Sequence, residues 1–340
     1  MRVSLRSLAA AVLLAFAVAV SAPVLAQQPS SVNPTASSVK EQQLLEALRA
    51  GTPGTGTTLS GRITIPDQRA ANLIQPQGQA WRVFHQGTMH WVGGIAILGM
   101  LAVLVAFYLF RGRIMIHKGP AGIRILRFTT FERLVHWMTA GCFLVLALTG
   151  LNITFGKYLL LPLFGEGGFH AVASLGKYAH NYLAWPFMLG LVFMFLVWVV
   201  HNIPNSIDME WLKQGGGLLK PGVHPPAKKF NAGQKGIFWA VIIGGGLLSV
   251  SGFFLIFPAT ADGVLALQFW NIVHGLVAVL LIAIMIAHIY IGSVGMEGAA
   301  DAMTSGEVDL NWAKEHHSLW VQEEASKGRI NPGALGQPAE

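Results

Sequence analysis

The sequence is short of charge. Asp, Glu, Lys and Arg make up 11% of its 340 residues, against about 25% in an ordinary soluble domain. It is also short of cysteine, with Cys142 alone. A single cysteine excludes an intrachain disulfide. It excludes the cysteine sets that iron–sulfur clusters need. No C-x-x-C-H occurs either, so a covalently attached c-type haem is ruled out. The long apolar runs contain no Asp or Glu. A proton wire across a membrane normally needs such residues, and no pair of Gly/Pro-broken helices marks a transport site at mid-membrane. A transporter or a purely structural anchor is therefore the weaker functional class.

What is present is apolar. Hydrophobic residues reach 53%, and they fall in runs long enough to span a bilayer. The net charge is +7. Its basic residues cluster in two loops between apolar runs, which is the positive-inside pattern and not a nucleic-acid patch. The fold class expected is an all-α integral membrane protein.

Residues 1–26 read as a signal peptide. Arg2 and Arg6 precede the apolar stretch Ala9 to Val20, and Ala26 closes a small-residue cleavage site. Residues 27–88 read as a polar periplasmic extension, with one helix expected at 39–50 and one strand at 61–66. The extra transmembrane helix is placed at 89–112. The loop behind it carries Arg111, Arg113, Lys118, Arg124, Arg127 and Arg133 against Glu132, which assigns it to the cytoplasm. The transmembrane core is expected over 113–300, with further spans beginning near Trp137, Tyr178, Gly236 and Trp270. An outer loop is expected from Gly156 to Lys177. The second basic loop, 201–235, carries five lysines. Residues 301–340 read as a polar cytoplasmic tail.

The chemistry rests on histidines. His274 and His288 are 14 residues apart in one uncharged run, which leaves them about 40° apart on one helix face and about 21 Å apart along it. Ionisable groups at membrane depth point to function. The alternating direction of the spans puts His180 at the level of His274, near the outer face. It puts His136 at the level of His288, near the inner face. Two levels with two imidazoles each are what two bis-histidine haems require. One histidine alone could equally hydrogen-bond a carbonyl or relay a proton; it is the matched depths that favour cofactor ligation. Gly150, Gly190, Gly252, Gly275 and Gly292 would let a macrocycle or another helix approach. His201 competes for the inner level and His170 for the outer. His85 and His90 read as interfacial, and His117, His224, His316 and His317 as solvated loop residues.

The stretches FERLVHWMTAGCFLVLALTG at 131–150, GKYAHNYLAWPF at 176–187, HNIP at 201–204, FNAGQK at 230–235, NIVHG at 271–275 and AHIY at 287–290 resemble the membrane cytochrome b, or gamma, subunit of respiratory formate dehydrogenase. The similarity covers about residues 120–322 and implies that 113–300 form a four-helix di-haem cytochrome b bundle, with one extra N-terminal transmembrane helix before it. It implies that His180 and His274 hold an outer haem b, and that His136 and His288 hold an inner one. It implies a quinone site at Asn231 and Gly233 with His288 nearby. The partners implied are an iron–sulfur subunit and a molybdenum or tungsten catalytic subunit, outside the bacterial inner membrane. No catalytic residue and no formate-oxidising site are expected in this chain. A cytochrome b serving a hydrogenase or another molybdoenzyme is the close alternative.

Overall fold

The computed structural model describes residues 76–330. The signal peptide, the helix at 39–50, the strand at 61–66 and the end of the tail lie outside the described residues. The chain divides into two compact units, Met1–His85 and Gln86–Glu340. The first contributes one described helix, α1 (Pro76–Val83), with Trp81 against Phe84 and His85.

The second unit contains long apolar helices: α2 (Met89–Arg111), α3 (Thr130–Leu159), α4 (Leu161–Trp198), α6 (Ala232–Ile256) and α7 (Gly263–Tyr290). Among the described residues, five helices are long and apolar enough to cross a membrane, the first counted from Ala80 to Arg111. Even α2, with 23 residues, is about 34 Å long, beyond the roughly 30 Å hydrocarbon core. Their outward side chains, including Leu98, Leu109, Phe110, Leu148 and Leu196, are exposed. In water such a surface would aggregate; in lipid it is the ordinary exterior. The protein is an integral membrane protein. α3 packs along α4, and α7 packs along both α6 and the extra helix α2.

Local sequence explains the helix starts. Thr129 and Glu132 form a capping box at α3, and Asn231 and Gln234 form another at α6, each satisfying backbone N–H groups with no intrahelical partner. The outer loop expected at 156–177 is helical instead. Leu160 separates α3 from α4, and inside α4 Gly165, at φ +65°, departs from helical geometry. Its positive φ suits a residue without Cβ, so two short breaks stand where the charged and glycine-rich composition predicts a long loop.

The polar tail is a second departure. At the basic end of the bundle, β1 (Arg124–Leu126) pairs antiparallel with β2 (Glu307–Asp309). With α5 (Ser206–Lys213), α8 (Asp301–Thr304), α9 (Leu310–His316) and α10 (Ser318–Ser326), they close over the helix ends as a folded cap. Its core joins Ile125, Phe128, Phe230, Val308, Leu310, Trp312 and Trp320 to Val135 and Trp198 of the spans. Arg127 is buried inside it. Its guanidinium lies 5.0–5.4 Å from the rings of Phe128, Trp312 and Trp320, a favourable place for a weakly hydrated cation.

Candidate functional site

α7 is one continuous helix carrying both His274 and His288. α3 brings His136 to His288, with ring centres 6.3 Å apart and planes at 59°. α4 brings His180 to His274, at 6.2 Å and 59°. The four residues meet in the pairs that the order of the spans predicts. Two imidazoles sharing a metal ion, each nitrogen about 2 Å from it, have ring centres about 6 Å apart. The spacing of both pairs therefore fits one iron between each.

Hydrogen bonding at the outer pair fixes which ring nitrogen is available. The Thr149 hydroxyl donates to the Val145 carbonyl at 2.7 Å and lies 2.8 Å from His180 Nδ1. The Ser251 hydroxyl donates to the Leu247 carbonyl at 2.7 Å and lies 3.0 Å from His274 Nδ1. A hydroxyl whose proton is engaged can only accept from Nδ1–H. Each ring then carries its lone pair on Nε2, the form that ligates a metal. Neither hydroxyl stands out in the sequence, since each is one of several Ser and Thr residues in apolar runs. At the inner pair, His136 Nδ1 is buried without a hydrogen-bond partner.

The glycines divide. A Cβ at Gly150 would lie 3.6 Å from the His180 ring, and one at Gly252 would lie 3.4 Å from the His274 ring. Gly190 instead abuts Thr139, and Gly275 abuts Met89; these two serve helix–helix packing.

Asn231 caps α6, its Oδ1 accepting from the Gln234 amide at 2.9 Å. The capping role leaves its Nδ2 donor outside that bond. A Cβ at Gly233 would lie 3.0 Å from the Trp211 ring. A cavity of about 870 Å³ opens at the same end of the bundle, lined by Glu132, His201, Lys228 and Lys229 among others. None of Asn231, Gly233 and His288 lines it. Glu132, expected in a loop, lies in the first turn of α3. It accepts from Trp198 Nε1 at 2.9 Å and pairs with Lys229 at 2.7 Å, one helical turn from His136.

The remaining histidines sort by position. His170 is exposed on α4. His90 bonds the Thr154 carbonyl at 2.8 Å between Phe155 and Tyr158, a packing role at the helix end. His317 is not solvated. It is fully buried, bonded to the Lys228 carbonyl at 2.7 Å and facing the Arg127 guanidinium at 2.9 Å. Burial first, and Arg127 second, hold its pKa well below the usual histidine value. His316 is largely buried too; burial, then His224 and Arg127, push it down to about 4.

The family model for prokaryotic cytochrome b561 matches residues 127–306, more than half of the chain. The chain belongs to that family. Among its relatives, the cytochrome b556(fdo) subunit of formate dehydrogenase from Escherichia coli K12 is 32% identical over 202 residues, covering 58% of this chain and 92% of that protein. The nitrate-inducible cytochrome b556(Fdn) subunit from the same strain is 30% identical over 204 residues, covering 58% and 91%. The formate dehydrogenase cytochrome b556 subunit of Haemophilus influenzae is 27% identical over 206 residues, covering 59% and 84%. Residues 1–126, with the extra helix α2, precede the family match.

Proposed function

We propose that this cytochrome is the di-haem b, membrane-anchoring subunit of a formate dehydrogenase, carrying electrons from a periplasmic partner to quinone near the cytoplasmic face of the bacterial inner membrane. The observation that carries the reading is the pair of histidine pairs, at two levels of one bundle and spaced for a metal. Bound haem b supplies a one-electron ferric/ferrous couple. His180 and His274 would hold the outer haem, His136 and His288 the inner one. Thr149 and Ser251 keep the outer rings in the ligating tautomer.

The periplasmic partners in this reading are an iron–sulfur subunit and a molybdenum or tungsten subunit that oxidises formate. The likeness to formate dehydrogenase subunits supports them. Quinone would bind by the inner level. There the Asn231 amide is suited to donate to a quinone carbonyl, while Gly233, whose open side is taken by the Trp211 ring, would line the site through its backbone. Electrons crossing inward, with protons taken up on the cytoplasmic side, build a membrane potential without a proton channel through this subunit.

The test is to purify the complex and record haem spectra before and after formate, then after a quinone analogue. Two haems b per chain, reduced by formate and reoxidised by quinone, are expected. Absence of haem b bands would remove the cytochrome reading. Haems that formate leaves oxidised, but another donor reduces, would transfer the role to a different dehydrogenase.

A further inference from the structure

At the basic end of the bundle, away from the paired histidines, five cationic or protonatable side chains converge on a second cavity. Its volume is about 290 Å³, and Arg111, Arg113, His117, His224 and His316 line it. They come from four parts of the chain: the end of α2, the strand-like run after it, the loop before α6, and α9. The rings of His117 and His224 are 6.1 Å apart, and those of His224 and His316 are 6.4 Å apart.

We propose that this cavity binds a phosphate group, either of an anionic phospholipid headgroup or free in solution.

The charge balance leads there. No Asp or Glu lines the cavity. The nearest carboxylates are already engaged: Glu297 accepts from the Ile116 amide at 2.9 Å, and Glu315 accepts from the His117 and Lys118 amides at 3.0 and 3.3 Å. Arg111 donates Nε to the Leu218 carbonyl at 2.9 Å, which fixes the guanidinium and leaves its terminal nitrogens for a ligand. Among the described residues Arg113 forms no ion pair. Two guanidiniums that no carboxylate pairs within 4 Å among the described residues, beside three imidazoles, match the tetrahedral oxygens of a phosphate. The loop before His224 packs on itself closely: a Cβ at Gly217, at φ +69°, would strike the Val223 carbonyl, so the turn that positions His224 at the rim of the cavity depends on glycine.

Location also fits. Arg111 ends α2, and the preceding Leu109 and Phe110 are exposed on the lipid-facing surface. A basic pocket at the end of a membrane helix is placed to take a headgroup. Arg111, Arg113 and His117 precede the residues shared with the family, so the site belongs to the additional helix. It would fasten the inner end of that helix to the core. The inference stands independently of the haem and quinone assignments.

The test uses the full chain in its complex, delipidated in detergent. Native mass spectrometry measures retention of phosphatidylglycerol against phosphatidylcholine, and thermal unfolding is followed with and without inorganic phosphate. The variants are R111Q/R113Q and, because Arg111 also holds Leu218, R113Q and H224A singly. At least tenfold weaker phosphatidylglycerol retention in the variants, with haem spectra unchanged, supports a lipid headgroup. Stabilisation by inorganic phosphate that the variants lose, without selective lipid retention, supports a free phosphate. Equal retention and equal phosphate response in wild type and in the correctly folded R113Q and H224A proteins overturn the proposal.

Discussion

His274 and His288 stand on one unbroken helix, yet each faces a histidine from a different neighbour, His180 on α4 and His136 on α3. Two sites thus share one wall and differ in the other. His274→Ala is expected to remove the outer haem and keep the inner one, because the two positions are about 21 Å apart along the helix. Extracted haem per chain should fall from two to one. Retention of both would show that His274 is not a ligand.

Ser251 holds the Nδ1–H of His274. A hydrogen bond there makes the ring a stronger donor to iron and favours the ferric state. Ser251→Ala should therefore leave haem content unchanged and raise the midpoint potential of one haem. A redox titration followed in the Soret band reads this directly, and an unshifted potential would deny Ser251 a tuning role.

Asn231 is both a helix cap and the candidate quinone donor, and two substitutions separate these roles. Asn231→Ala removes both and should also cost about 1 kcal/mol of helix stability. Asn231→Asp keeps a capping oxygen and loses the amide donor. Both should slow quinone-driven reoxidation at least tenfold while haem reduction by the donor proceeds. Normal reoxidation in the Asp variant would take Asn231 out of the quinone site.

Sidedness is checked by labelling. In a Cys142→Ala background, a cysteine at position 231 should react with an impermeant maleimide only from the cytoplasmic side, as the basic loops predict. Labelling from the periplasm would invert the orientation.

The cap should be acid-sensitive. In an unfolded chain His316 and His317 take up protons near pH 6.5. In the folded cap His316 stays neutral down to about 4, and His317 is held well below its usual value. Below pH 6.5 the unfolded state binds more protons, so their contribution to stability is full above 6.5 and is lost as the pH falls towards 4. Hydrogen exchange of residues 310–326 should accelerate over that window. His317→Gln should flatten the response.

The spans and the histidine pairs were legible because a bilayer imposes length and apolarity, and because alternating direction converts sequence order into depth. The cap was not. Its strands have three residues each, and its helices are too short for a periodic pattern. The burial of His317 depends on Arg127, 190 residues earlier, and nothing local announces such a partner. The helical stretch from 156 to 177 was hidden by Lys157, Glu166 and the glycines around 165, whose composition is that of a loop although helical geometry breaks only at Leu160 and Gly165.

The shared helix also sets an order of construction. α7 is the last of the described spans to leave the ribosome, and it carries one member of each histidine pair. A nascent chain that has inserted α2, α3, α4 and α6 holds His136 and His180 with nothing opposite either. Synthesis through residue 274 completes the first pair, and only the next four turns complete the second. In the proposed reading neither haem site would be complete early, and a chain stopped before His274 would present two half-sites. Cofactor insertion would then act as a proofreading step that accepts only chains translated to the end of the bundle.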